Sequence, residues 1–335
     1  MVKPLTNELN NFINNANSAK SLYTAGPSSL LAASISSIQP CFGRNDDLYD
    51  KAEEYVLEFL KKLSSHKNII RMQGSATLAI EIGLANFCKG RVLIINTGYY
   101  SERMLNIIKK YKINEQENIQ YIDYAEIETI KGQKIDWFVC CYTETSIGFK
   151  VDINKIKEIA IRNGAQLFVD GTASIGLETN HNLADVLCYS SCKGLFGLTG
   201  GAFLAFNDQC WEKNKYPYYL SIDTHLNKGV TGPYHTILSL YGILQEYDIY
   251  KRRVITWRDH FLEVFAKNII YKRENQPALC TLLNCKLNYL KKNPIIYSPR
   301  SKNNGSLVCH IGQVHRNVEE INESHIKSHF EIKKT

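Results

Sequence analysis

Between residues 69 and 206 short apolar runs alternate with stretches of helical periodicity, and the runs end in polar or small residues. Ile69 begins a strand that runs into the small-residue turn Gly74-Ser75-Ala76-Thr77, followed by an apolar helix. Val92–Ile95, Asn118–Ile122, Trp137–Tyr142, Leu167–Val169, Asp185–Tyr189 and Ala202–Phe206 are four to six residues long or shorter and rich in apolar or aromatic groups, as buried strands are. Helical spacing lies between them, from Ser101 onward and over 153–162, and before them over 47–63. This alternation predicts a doubly wound α/β sheet with helices on both faces. In such sheets ligands sit outside the carboxyl ends of the strands. Those ends carry Gly74–Thr77, Asn96–Tyr100, Thr143–Ser146, Asp170 and the loop after Tyr189, so one shared site is expected there.

The loop Tyr189–Gly201 holds one lysine, Lys193, among small residues and four glycines. A lysine desolvated in a tight turn loses its proton readily and becomes a nucleophilic amine, the requirement for a Schiff base. Gly74–Thr77 opens a helix with free N–H groups and hydroxyls at the positive end of its dipole, which suits a phosphate. Asp170 stands at a strand end with Gly171-Thr-Ala-Ser174 after it. A lysine, a carboxylate and a phosphate-type helix start together point to pyridoxal 5′-phosphate (PLP). Neither a nicotinamide-type G-x-G-x-x-G nor a P-loop is present.

The 335 residues carry 40 Lys and Arg against 33 Asp and Glu, a net +7 concentrated after residue 250. Those basic residues are not interleaved with a nucleic-acid motif, so a solvated surface and attraction of small anions are expected, and no nucleic acid. No long uncharged apolar run or secretory leader is visible, so no membrane span is expected. Ten cysteines without a C-x-x-C pair argue against zinc and fit a reducing cytoplasm. The division expected is a large domain over 22–249 and a small α+β domain from 1–21 and 250–335. In the latter, a helix is expected over 251–271, strands over 278–283, 294–297 and 306–311, and a helix near 317–329.

Six segments in order, Leu22-Tyr-Thr-Ala-Gly-Pro27, Gly74-Ser-Ala-Thr77, Gly98-Tyr-Tyr-Ser-Glu-Arg103, Glu144-Thr-Ser-Ile-Gly148, Val169-Asp-Gly-Thr-Ala-Ser174 and Ser190-Ser-Cys-Lys-Gly-Leu-Phe-Gly197, resemble the class V aminotransferases of PLP fold type I. The resemblance is nearest to the 2-aminoethylphosphonate–pyruvate branch, with the alanine–glyoxylate and serine–glyoxylate branches further off. It implies a PLP-dependent transferase fold, with a large mainly parallel sheet domain and a small C-terminal α+β domain. It implies a cytoplasmic homodimer that moves an amino group between a small amino compound and a 2-oxo acid such as pyruvate. Lyase or desulfurase chemistry, or a non-catalytic homologue, are the alternatives.

The resemblance also implies roles. Lys193 would carry the cofactor and shuttle a proton, and Asp170 would face the pyridine nitrogen. Ser75, Ala76 and Thr77 would hold the phosphate, Tyr100 would stack on the ring, and Thr145 would lie near its phenolic oxygen. Thr231 would reach the phosphate of a neighbouring subunit, and Gly26 would lend backbone to the substrate pocket. Two departures stand out. Cys192 occupies the place of an Asn or Gln before the lysine. His310 occupies the place of an arginine that grips the substrate's acidic group, with Arg300 or Arg44 as substitutes. The segment 272–310 is shorter than in the family.

Overall fold

The computed structural model describes residues 7–43, 45–111, 118–208, 211 and 216–333. Its centre is a seven-stranded sheet in the order Asn68–Gln73, Gly201–Phe206, Val186–Ser190, Gln166–Asp170, Trp137–Cys141, Val92–Asn96, Ile119–Asp123. The strands from Val186–Ser190 to Ile119–Asp123 pair in parallel. Gly201–Phe206 runs antiparallel to both its neighbours, so Asn68–Gln73 points the same way as the parallel set. Every strand but Gly201–Phe206 therefore delivers its carboxyl end to one edge.

Why these runs become buried strands follows from their position. Trp137–Cys141, Val186–Ser190 and Gly201–Phe206 are buried at every residue, whereas the edge strand Ile119–Asp123 is partly open to solvent. A strand covered on both faces needs apolar side chains on both, which explains the unbroken runs. Alternate residues feed opposite faces. Phe138 and Cys140 join one apolar cluster with Leu93, Leu167 and Tyr189, while Trp137, Val139 and Cys141 join another with Ile94, Phe168 and Cys188. The covering helices start where carboxylates cap them. Asp46 accepts from the N–H groups of Leu48 and Tyr49 ahead of the Asp47–Ser64 helix, and Asp152 does the same for Asn154 and Lys155 ahead of Ile153–Arg162.

The C-terminal part differs in detail from the sequence reading. The expected 251–271 helix runs instead over Tyr247–Val264. Beyond it the chain turns so that Ile269 bridges Leu283 and the Asn268 side chain donates to that of Asn284 at 2.9 Å. Pairing with a neighbouring strand thus displaces the last helical turns. The helix expected near 317–329 shrinks to Glu323–Lys327, begun by Asn322, whose side chain accepts from the His325 N–H. The strand candidates are present but form separate two-stranded ladders: Ser21–Tyr23 with Pro294–Ile296, Cys280–Leu282 with Leu307–Cys309, and Leu287–Tyr289 with Phe330–Ile332. A third apolar cluster, containing Tyr23, Phe261, Leu283, Val308, Ile326 and Phe330, lies beneath them. The Tyr247–Val264 helix spans two cores: Tyr247, Tyr250 and Val254 sit in the main one, Trp257 and Phe261 in the C-terminal one.

Candidate active site

The carboxyl edge of the sheet encloses a cavity of about 320 Å³, within the usual range for small-molecule sites. Each wall is built by a strand-to-helix or strand-to-strand transition. Asn68–Gln73 passes through Gly74 and Ser75 into the Ala76–Phe87 helix. Ser75 is extended and its hydroxyl makes no capping bond. The Leu78 N–H donates to the Ser75 carbonyl at 2.9 Å, the N–H groups of Ala76 and Thr77 precede the helical ladder, and Ser75, Ala76 and Thr77 line the cavity.

The next wall is the start of the Tyr99–Lys110 helix. Gly98 leads into it at a φ of 139°, and the Ser101 hydroxyl oxygen accepts from the N–H groups of Thr97 and Gly98 at 2.9 and 3.0 Å. Glu144, fully buried, reaches across from the end of a neighbouring strand. Its Oε2 accepts from the Tyr100 N–H at 2.9 Å, and its Oε1 from the Ser146 N–H at 3.1 Å and the Ser146 hydroxyl. Burial raises the Glu144 carboxyl above its ordinary range, and these bonds pull it back only in part. A carboxylate at this point meets the positive end of the helix dipole. The start of this helix then presents Tyr100 and Arg103 to the cavity, with the Arg103 guanidinium 4.8 Å over the Tyr100 ring.

Asp170 closes the Gln166–Asp170 strand and is 2% exposed. Its Oδ1 accepts from the N–H of Thr172 at 3.0 Å and from the Thr172 hydroxyl. Its Oδ2 lies 3.7 Å from Arg103 Nη2. Thr143 and Thr145 also line the cavity, and the buried Thr143 hydroxyl makes no hydrogen bond.

Lys193 lies opposite, in the loop between Val186–Ser190 and Gly201–Phe206. Ser191 pins that loop: its N–H donates to Gly201 O, its hydroxyl to Leu198 O, and its carbonyl accepts from the Gly197 N–H. The Lys193 Nζ donates to the carbonyl oxygen of Ala25 at 2.8 Å. Gly26 follows at a φ of 141°, and a Cβ there would stand 3.0 Å from Cys192 O and 3.2 Å from Lys193 Cγ. Only a glycine fits both the angle and the approach. Cys192 lines the cavity, its Sγ 3.8 Å from the Ser190 hydroxyl.

Of the residues named from the sequence, Ser75, Ala76, Thr77, Tyr100, Thr145, Asp170 and Lys193 share this cavity, and Gly26 lies against the lysine. His310 does not line it. It is wholly buried in the C-terminal part, with Nε2 2.9 Å from the Thr281 hydroxyl and the Phe261 ring 5.1 Å away. Burial and the nearby Arg258 push its imidazole down to about 3, so it is a neutral core residue rather than an exposed anion ligand. Arg300 is exposed and donates from Nη1 to the Tyr99 hydroxyl at 2.9 Å. Thr231 is exposed on a loop held by the Lys228–Glu53 ion pair, outside the cavity of its own chain. Arg44 lies outside the described residues.

Sequence reasoning gave no role to Glu144, Arg103, Thr143, Thr172 or Tyr297, whose hydroxyl is 3.3 Å from that of Tyr100. One signal was available: Arg103 is three residues beyond Tyr100, hence on the same helix face. Among the described residues no His, Cys, Asp and Glu group could hold a metal, no helix is long and apolar enough to cross a membrane, and the cysteines form no disulfide with one another.

A family model described as aminotransferase class-V matches residues 27–221, more than half of the chain. An uncharacterised aminotransferase of Methanocaldococcus jannaschii is 29% identical over 200 residues, covering 55% of this chain and 52% of its own. A 2-aminoethylphosphonate–pyruvate transaminase of Pseudomonas putida is 25% identical over 216 residues, 58% of each chain. The match thus spans little more than half the length of these curated relatives. In three dimensions the chain superposes on an alanine–glyoxylate aminotransferase of a Nostoc species with a TM-score of 0.77 at 16% identity, over 98% of this chain and 95% of that one. That likeness shows the fold, the α/β architecture with a large mainly parallel sheet expected from the sequence.

Proposed function

This chain belongs to the class-V aminotransferases, and from that premise we propose that it transfers an amino group between a small amino compound and a 2-oxo acid, with pyruvate as the leading acceptor and a 2-aminoethylphosphonate-like amine as the leading donor. The observation that carries this reading is the single cavity shared by Lys193, Asp170 and the open helix start at Ser75–Thr77.

The family's cofactor is PLP, and the residues present fit it. The Ser75 hydroxyl is not spent on capping its own helix, the Thr143 hydroxyl is buried without a partner at the cavity wall, and backbone without a side chain faces Lys193 at Gly26. On this reading the N–H groups and hydroxyls of Ser75, Ala76 and Thr77 hold the phosphate. Asp170 would face the pyridine nitrogen, Tyr100 would cover the ring and Thr145 would lie beside its phenolic oxygen. When bound, the cofactor supplies an electron sink that lets the carbon bearing the substrate's amino group give up a proton. Lys193 Nζ is the group that takes and returns that proton, and Ala25 O holds the amine in place between transfers. Glu144 orients the Tyr100 helix start, and the pinned Ser191 loop keeps Lys193 from swinging away.

For the substrate's acidic group Arg300 is the better candidate, because it is solvent-accessible and held by Tyr99, whereas His310 is neutral and enclosed. The outward-facing Thr231, on a loop fastened by Glu53, fits a contact with the cofactor of a second copy, which supports a homodimer. Described cysteines that form no disulfide with one another fit a reducing cytoplasm.

The test is product formation. PLP-loaded protein is mixed with a panel of amines, 2-aminoethylphosphonate among them, and with pyruvate. Alanine should appear in step with loss of one amine. A panel that yields no alanine from pyruvate, and no transfer to glyoxylate or 2-oxoglutarate, sinks the transaminase reading.

A further inference from the structure

Arg103 is the cation paired with Asp170 among the described residues. It is the fifth residue of the Tyr99–Lys110 helix, three residues after Tyr100 and on the same face. Its guanidinium does two things at once: it lies 4.8 Å over the Tyr100 ring, and its Nη2 stands 3.7 Å from Asp170 Oδ2. Thr172 takes the other carboxylate oxygen. The 3.7 Å separation is too long for a hydrogen bond, so Oδ2 keeps its capacity to accept one from a ligand. The Arg103 Nε is buried with no acceptor of its own. A buried polar atom left unpartnered calls for a reason, and here the guanidinium's place is set by the tyrosine ring and the carboxylate rather than by its own hydrogen bonding. A guanidinium can lie over a ring and turn its N–H fork to a carboxylate with a defined plane, whereas an ammonium offers charge without a plane.

We propose that Arg103 is a positioning residue for the PLP seat: it ties the plane of the Tyr100 ring to the Asp170 carboxylate, so the two groups that meet the cofactor's face and its nitrogen edge are set at a fixed angle before the cofactor arrives. This rests on the cofactor reading given above. Without the guanidinium, the ring loses its stacking partner and a buried carboxylate loses its counter-charge.

The test compares wild-type protein with Arg103→Met and Arg103→Lys. Each apoprotein is titrated with PLP to obtain a dissociation constant. The visible circular dichroism of the bound cofactor, which reports the asymmetry of its seat, is then recorded. Arg103→Met should bind PLP about tenfold more weakly, with most of the visible dichroism lost while the far-ultraviolet spectrum of the apoprotein is retained. Arg103→Lys should recover part of the affinity but not the dichroism, because charge returns without the plane. Wild-type affinity and dichroism in Arg103→Met overturn the proposal. Should Arg103→Met not fold, full wild-type dichroism in Arg103→Lys overturns it equally. Wild-type protein that takes up no PLP overturns the cofactor reading itself, and this inference with it; wild-type uptake matched by both variants removes the inference alone.

Discussion

The amine of Lys193 is tied to the carbonyl oxygen of Ala25 by a 2.8 Å hydrogen bond, which joins the loop of one sheet edge to a segment far earlier in the chain. The amine is thereby held over the cavity by backbone, not by another side chain. Replacing the lysine removes the amine without disturbing the bond network of Ser191. Lys193→Ala should therefore fold and still bind PLP noncovalently, but give no borohydride-reducible link to it. Its transfer rate should fall by roughly 10²–10⁴-fold. Mass spectrometry after reduction checks the first outcome, and single-turnover kinetics the second.

Gly26 is the residue that lets that bond form. Gly26→Ala forces a side chain into a left-handed backbone conformation and against Cys192 O and Lys193 Cγ. The expected cost is about 1–3 kcal/mol of stability. Cofactor retention should weaken at the same time, because the lysine stem has to move. Thermal unfolding of the apoprotein and PLP titration read the two effects separately.

Three buried histidines, with the half-buried His315, make the fold sensitive to acid. Burial pushes His181 and His310 down to about 3, His315 to about 4 and His329 to about 2. Their folded values lie below the unfolded value near 6.5, so the unfolded chain binds more protons in between. The stability they confer is present above pH 6.5 and is lost as pH falls toward 3. Denaturant titrations from pH 7.5 to 4.5 should show a steep decline, flatter in His310→Asn. A stability profile level across that window would contradict the burial of these rings.

Arg300 and His310 part company in kinetics. Arg300→Ala should raise KM for an acidic amine roughly tenfold while leaving kcat nearly unchanged, the pattern of a lost ground-state contact. His310→Asn should leave KM unaltered. The reverse result would mean that the C-terminal part rearranges when substrate binds. Initial-rate measurements with an acidic and a neutral amine decide it.

The sheet and the edge that carries the cavity were legible because buried parallel strands must be apolar throughout, and because helical spacing between and before them marks the covering helices. The helix over 153–162 coincides with Ile153–Arg162 for that reason. What resisted reading was nonlocal. The link of Arg103 to Asp170 joins a helix to a strand elsewhere in the chain, and no pattern around either residue encodes the other. His310 was read as a substitute for an arginine because of its place in the order of residues. Its true setting, against Thr281 and Phe261, depends on how the short ladders of the C-terminal part fold over one another. The helix boundaries near residues 264 and 323 were misjudged because periodicity sets neither: the Ile269–Leu283 bridge follows the first, and the Asn322 cap starts the second.

The Tyr247–Val264 helix has its first turns embedded in the main core and its later ones in the C-terminal core. It acts as a shaft seated in two bearings. Any swing of the C-terminal ladders over the mouth of the cavity has to turn about this rod or bend it, and a rod gripped along both halves resists bending. The Tyr297–Arg300 segment, which meets the cavity-lining Tyr100 and its neighbour Tyr99, is therefore carried by a stiff transmission. Substitutions at Val254, midway along the shaft and far from any reacting atom, should be felt as torque at the entrance.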